Sequence, residues 1–215
     1  MKSLKIIGLT ALATMTLAAF VTSSASAATV CSTAGKGTAC KAGHGNQYTG
    51  EVHAVNTGNV YFTATDASGA TVNSVTYLSS TFSGAITDSE SGAGSITAVS
   101  FSGLSSSRCS YVALSTSSPW PFTVTTESVT ENTNGIMSIP NMAVSFTCSY
   151  LGVDVICRYK TGIAQAAIDG IDTEPTVTLK NVLLEKEEGP EYVCGSKLDW
   201  TVTYKITTPS SLFIE

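Results

Sequence analysis

Charge is what this 215-residue chain has least of: Asp, Glu, Lys and Arg make up 13% of it, about half of the ~25% usual in soluble domains. Basic residues are the scarcer sign. Beyond Ala27 the chain keeps nine Lys and Arg against sixteen acids, a net charge near −7, which excludes a nucleic-acid binder that works by electrostatics. Histidine occurs twice, as His44 and His53. Both fall in the first stretch after Ala27, where Gly43, Gly45 and Asn46 point to a loop, and they read as surface residues. No apolar run long enough for a membrane span follows residue 21, so no integral span is expected.

Catalytic templates are missing in turn. There is no G-x-S-x-G elbow, no H-E-x-x-H helix and no Gly-rich phosphate loop followed by lysine. No two cysteines stand as C-x-x-C, which removes the usual zinc signature, and no metal or cofactor is expected. A Ser-His-Asp triad is defined in space rather than by order, and nothing in the order supports one. Acids for glycoside hydrolysis could be drawn from Asp66, Asp88, Glu90, Asp154, Asp169, Asp172 and Glu174, as from any domain of this kind. The expectation is a non-enzymatic protein.

What is present begins with an export signature. Lys2 and Lys5 open the chain, residues 6–21 are uncharged and apolar, and Ala25-Ser26-Ala27 supplies small residues at a cleavage position after Ala27. Thr29 and Val30 before Cys31 do not make a lipobox. All six cysteines, Cys31, Cys40, Cys109, Cys148, Cys157 and Cys194, lie beyond that signal, as suits disulfides in an oxidising compartment. The protein is expected to be secreted, in the periplasm, at the cell surface or outside the cell.

The remainder reads as β structure. Segments 48–55, 59–65, 72–78, 95–102, 120–127, 142–150, 153–160, 176–184 and 198–206 alternate β-branched or aromatic residues with polar ones. Gly, Asn and Ser separate them. Nine or ten such strands predict an all-β, disulfide-stabilised β-sandwich, of Greek-key, immunoglobulin-like or jelly-roll order. Residues 163–169 are Ala- and Gln-rich and read as a short helical connection. No repeat or linker divides the chain, so the organisation is a signal at 1–27, a Gly-rich segment at 28–47 with Cys31 and Cys40, and a sandwich domain at 48–215.

A two-residue hairpin centred on Gly152 and Val153 would put Cys148 opposite Cys157, at a position where a cross-strand disulfide fits. Cys31 and Cys40 repeat the spacing. Elimination then joins Cys109 to Cys194. The acids Glu185, Glu187, Glu188 and Glu191 around Gly189-Pro190 read as a solvated turn, with a calcium site the alternative.

Pro119-Trp120-Pro121-Phe122 begins a strand that cannot donate ladder hydrogen bonds at its prolines, which places it at a sheet edge. Trp120 and Phe122 either plug the core or face outward as contacts for a ligand or partner, such as a glycan, lipid or hydrocarbon surface. The Gly-rich stretch 31–49 and the apolar end Leu212-Phe213-Ile214 are candidates to donate a strand to a neighbouring copy.

Phe101-Ser102-Gly103, Cys109 followed ten residues later by Pro119-Trp120, then Cys157-Arg158-Tyr159, Cys194-Gly195 and a closing strand with Tyr204 resemble the small secreted bacterial proteins grouped with PraB, the alkane-oxidation activator. The extra pair Cys31 and Cys40 and the Gly-rich start depart from that pattern. The resemblance implies a non-enzymatic surface or extracellular structural protein, associated with biofilm matrix or growth on hydrophobic substrates, and supplies no catalytic residues. Composition allows the same chain to be an extracellular carbohydrate- or lipid-binding module.

Overall fold

A computed structural model describes residues 27–32, 47–106, 108–109, 112–116, 118–126, 135–169 and 174–214. The expected leader, apart from Ala27, and His44 and Cys40 lie outside the described residues. Within them 73% of the residues are in strands: β1 (Val30–Cys31), β2 (Gly50–Asn56), β3 (Val60–Thr65), β4 (Thr71–Asp88), β5 (Ala93–Ser106), β6 (Val112–Thr116), β7 (Trp120–Thr126), β8 (Gly135–Pro140), β9 (Ala143–Tyr150), β10 (Val153–Lys160), β11 (Ile163–Asp169), β12 (Thr176–Glu188), β13 (Lys197–Thr208) and β14 (Phe213–Ile214). One short helix, α1 (Glu191–Cys194), joins β12 to β13.

The expected all-β class is found, but its sheet closes on itself. Pairing runs β3-β4-β5-β7-β8-β11-β12-β13 and returns from β13 to β3, an eight-stranded barrel. Two separate facing sheets do not describe it, because β13 bonds both β12 and β3. Closure leaves no edge in the ring. β2 shares the gap between β4 and β13 with β3, pairing with the other half of each long strand. Beside β12 the sheet extends through β10 and β9 to β6, which pairs with β9 alone among the described strands.

Long strands make this possible. In β4 the buried positions run Asn73, Val75 and Tyr77, then slip to Ser80, Phe82, Gly84 and Ile86. The slip breaks the alternation after residue 78, where the expected strand segment 72–78 ends. Asn56 fills the ladder there: its side chain accepts from Ser80 N–H at 2.8 Å and donates to Leu78 O at 3.0 Å. One polar side chain thus carries the strand past the junction between β2 and β3.

β11 corrects the helical reading of 163–169. Ala164, Ala166 and Ile168 point into the barrel while Ile163, Gln165, Ala167 and Asp169 are exposed. Alanine's weak β preference is overridden by pairing with β8 and β12 on either side. β8 with β9, and β10 with β11, form one long hairpin in unbroken register from Gly135↔Ile168 to Tyr150↔Val153. Its turn is Leu151-Gly152, with φ of +52° and +80°, as in a type I′ turn.

That turn overturns two of the predicted disulfides, Cys148–Cys157 and Cys109–Cys194. It lies one residue earlier than expected, so Cys148 faces Val155 and Cys157 faces Phe146. The observed bridges are Cys109–Cys148 and Cys157–Cys194, with Cα separations of 5.3 and 5.5 Å. Neither Cys148–Cys157 nor Cys109–Cys194 forms. Cys31 is also disulfide-bonded.

The core is aromatic at its centre. Phe62 packs against Trp200 and Phe146 at 5.1 Å between ring centroids, and Phe82 against Tyr204 at 5.0 Å. One barrel end is covered by segments 28–31 and 212–214. β1 pairs with β14, Val30↔Ile214, while Ala28 N–H bonds Val124 O and Val30 N–H bonds Ser89 O. Leu212 and Ile214 are buried, so the carboxy-terminal strand predicted as a donor to other copies is already used within the chain. The donor segment at 31–49 lies mostly outside the described residues.

Candidate functional site

Trp120 and Phe122 are core residues. Trp120 is 3% exposed and meets Trp200 at 6.2 Å between centroids, and Phe122 lies opposite Gly94 across the β5–β7 ladder. Their outward reading is corrected: neither offers a contact surface. Ser118–Pro119 is a cis peptide, and β7 follows it between β5 and β8, so this strand is inside the ring rather than at an edge. Trp120 Nε1 and Trp200 Nε1 are buried with no hydrogen-bond partner among the described residues. The cavity that both indoles line holds about 10 Å³, room for about one water. Two other interior cavities measure about 20 and 30 Å³. None admits a sugar or lipid, whose pockets run to ~300 Å³ or more.

The acids offered for hydrolysis are mostly occupied in local structure. Asp66 Oδ1 accepts from Ser68 N–H, Ser68 Oγ and Ala70 N–H, and Asp88 accepts from Glu90 N–H and from Ser91. The Ser68 and Ser91 hydroxyls and the backbone N–H groups hold both carboxyls below the usual range. They fix turns. Glu174 pairs with Lys205, and Asp172 lies outside the described residues.

One constellation was not legible from the order of residues. His53 Nδ1 lies 2.9 Å from Ser83 Oγ, and Nε2 lies 3.4 Å from Glu51 Oε2. The β2–β4 register creates it, since His53 stands opposite Ser83 and Glu51 precedes His53 by two residues on the same face of β2. The Glu51 side chain is 82% exposed and that of His53 46%, so water screens the acid that in a working triad is buried to orient the imidazole. It is an exposed polar contact on the barrel's outer face. Ser83 was missed because it follows the slip in β4.

The acidic cluster is also relocated. Glu185, Glu187 and Glu188 belong to strand β12 rather than to a turn. Glu188 pairs with Arg158, and Glu185 stands opposite Lys197 and Lys160 on its two sides. Alternating charges across the ladder stabilise the sheet surface. Among the described residues no group of acids, histidines and cysteines is arranged to hold a metal.

A larger cavity than the interior ones lies outside the barrel. A cleft of about 410 Å³ lies over β9, β10 and β12, lined by Asn141, Ser145, Arg158, Lys160, Glu187 and Thr116 among others. It has the volume for a small polar ligand. Hydrogen-bonding groups and both signs of charge face it. No protein-family model, curated protein or solved structure matches this chain.

Proposed function

We propose that this chain is an exported, non-catalytic β-barrel protein that works outside the cytoplasm through its outer surface, as a surface or extracellular structural component. The single observation that carries the reading is where the covalent bridges fall. Both described disulfides tie the β9–β10 hairpin beside the ring, one to Cys109 after β5 and one to α1, and such bridges persist in an oxidising compartment. The low charge, the export signature and the PraB-like motifs point the same way. A filled interior leaves the outer surface to do the work.

Association between copies belongs to this reading, with β6 as the strand that meets a neighbour, since it carries β9 on one side. The cleft over Arg158, Lys160 and Glu187 supports a second reading, a module that binds a small polar glycan. Fractionation of producing cells followed by light scattering tests the first. Recovery of the protein from the surface or medium, without hydrolytic activity on a substrate panel, is the expected result. A cytoplasmic, thiol-reduced pool would overturn it. Glycan binding lost in Arg158→Ala with Lys160→Ala would favour the second.

A further inference from the structure

We infer that the tip of the β9–β10 hairpin, with Tyr192 beside it, is a contact site for the apolar layer of a neutral lipid surface. The inference rests on the reading of the protein as an exported module that acts through its outer surface. The tip breaks two local rules at once. Leu151 is 87% exposed and adopts φ +52°, a conformation that costs most L-residues energy and that Asn, Asp or Gly fill in type I′ turns. A leucine there is unfavourable for both solvation and backbone. Nothing in the packing compensates, which is the pattern expected of a functional position.

The neighbours continue the same chemistry. Along β9 and β10 the inward-facing residues Phe146, Cys148 and Cys157 are buried, and the same stripe runs on past the barrel rim to the pair Tyr150↔Val153. Val153 is 64% exposed. Tyr192 on α1 is 63% exposed and contacts Tyr150 at 5.9 Å between rings. The result is a convex knob with two aliphatic side chains at its end and two tyrosines at its base, the order in which apolar and amphipathic groups enter a lipid interface. Cys148 and Cys157, one on each arm, tie this hairpin to Cys109 and to α1. A tip held this firmly loses little conformational freedom on contact.

Shape and charge select the occupant. A specific protein interface uses ~20–30 residues a side, and this knob offers four. A second copy has no matching socket among the described cavities, since the cleft of about 410 Å³ is lined by Arg158, Lys160 and Glu187. A fluid lipid layer needs no socket. Asp154 and Glu191 flank the tip, and the chain beyond Ala27 carries a net charge near −7, so an anionic surface is repelled and a zwitterionic one is not.

The test is sedimentation of the oxidised protein with phosphatidylcholine vesicles. Wild type is expected to partition, Leu151→Asp to lose at least tenfold, and added phosphatidylglycerol to give no gain. Leu151→Asn keeps the contact question apart from folding: it suits the turn, so it should melt at or above wild type while losing partition to a similar degree. Wild type that stays in the supernatant would overturn the inference, as would unchanged partition of Leu151→Asn or binding confined to anionic vesicles. Those outcomes leave export and oxidation untouched, whereas a reduced cytoplasmic protein removes the reading beneath the inference.

Discussion

At the scale of single residues, Gly94 explains Phe122 better than any surface role does. A Cβ on Gly94 would lie 2.4 Å from Phe122 Cζ and 2.4 Å from Ala85 O, so the ring occupies the space that glycine leaves. Gly94→Ala should force the ring off its rotamer and cost about 1–3 kcal/mol, read as a lower thermal midpoint. Leu151→Asn should do the opposite and raise stability by about 1 kcal/mol in a denaturant titration. Tyr204 gives a pH dependence. Burial pushes its hydroxyl up to about 12, opposed in part by the bond to Ser80 Oγ at 2.7 Å. Burial raises Tyr159 as well. The folded state therefore holds these protons longer than the unfolded chain, whose tyrosines titrate near ~10. Their stabilisation is complete below pH ~10 and is lost as pH rises toward 12. Denaturant midpoints across that range should fall, and fall less steeply in Tyr204→Phe.

At the scale of elements, the expected strands were legible wherever alternation was unbroken, as in the segments that became β3, β9 and β10. β6 and β8 fell outside every expected segment, and three physical effects hid other features. Asn56 carries β4 through a slip in phase that looks like an ending. Alanines in β11 pack against two partner strands and resemble a helix only by composition. Leu151 stands where a turn would normally announce itself with Asn or Asp, which moved the predicted hairpin by one residue and with it the pairings of Cys109, Cys148, Cys157 and Cys194. The corrected bridges close loops with sequence separations of 39 and 37 residues. The chain-entropy model gives about 4 kcal/mol for each, an upper figure in practice. Cys157→Ser with Cys194→Ser should lower unfolding free energy by about 2–4 kcal/mol, measured by urea titration.

At the scale of the whole molecule, strand count and alternation are common to sandwiches and barrels, so the sequence pointed to the class and not to closure. Closure depends on β13 reaching both β12 and β3, contacts between residues far apart in the chain that no local pattern reports. Candidate sites were less legible still. Trp120 drew attention by its composition and is core, whereas the outer cleft, the His53 contact and the hairpin knob arise from register. Among them only the knob sets residues against their own local preferences.

The most direct measurement is a non-reducing peptide map of the protein recovered from the surface or medium of its producing cell. The expected map shows a chain beginning at Ala28, a Cys109 peptide joined to Cys148, and a Cys157 peptide joined to Cys194. A peptide joining Cys148 to Cys157, or free thiols on a chain that keeps residues 1–27 and is found only inside the cell, would contradict it.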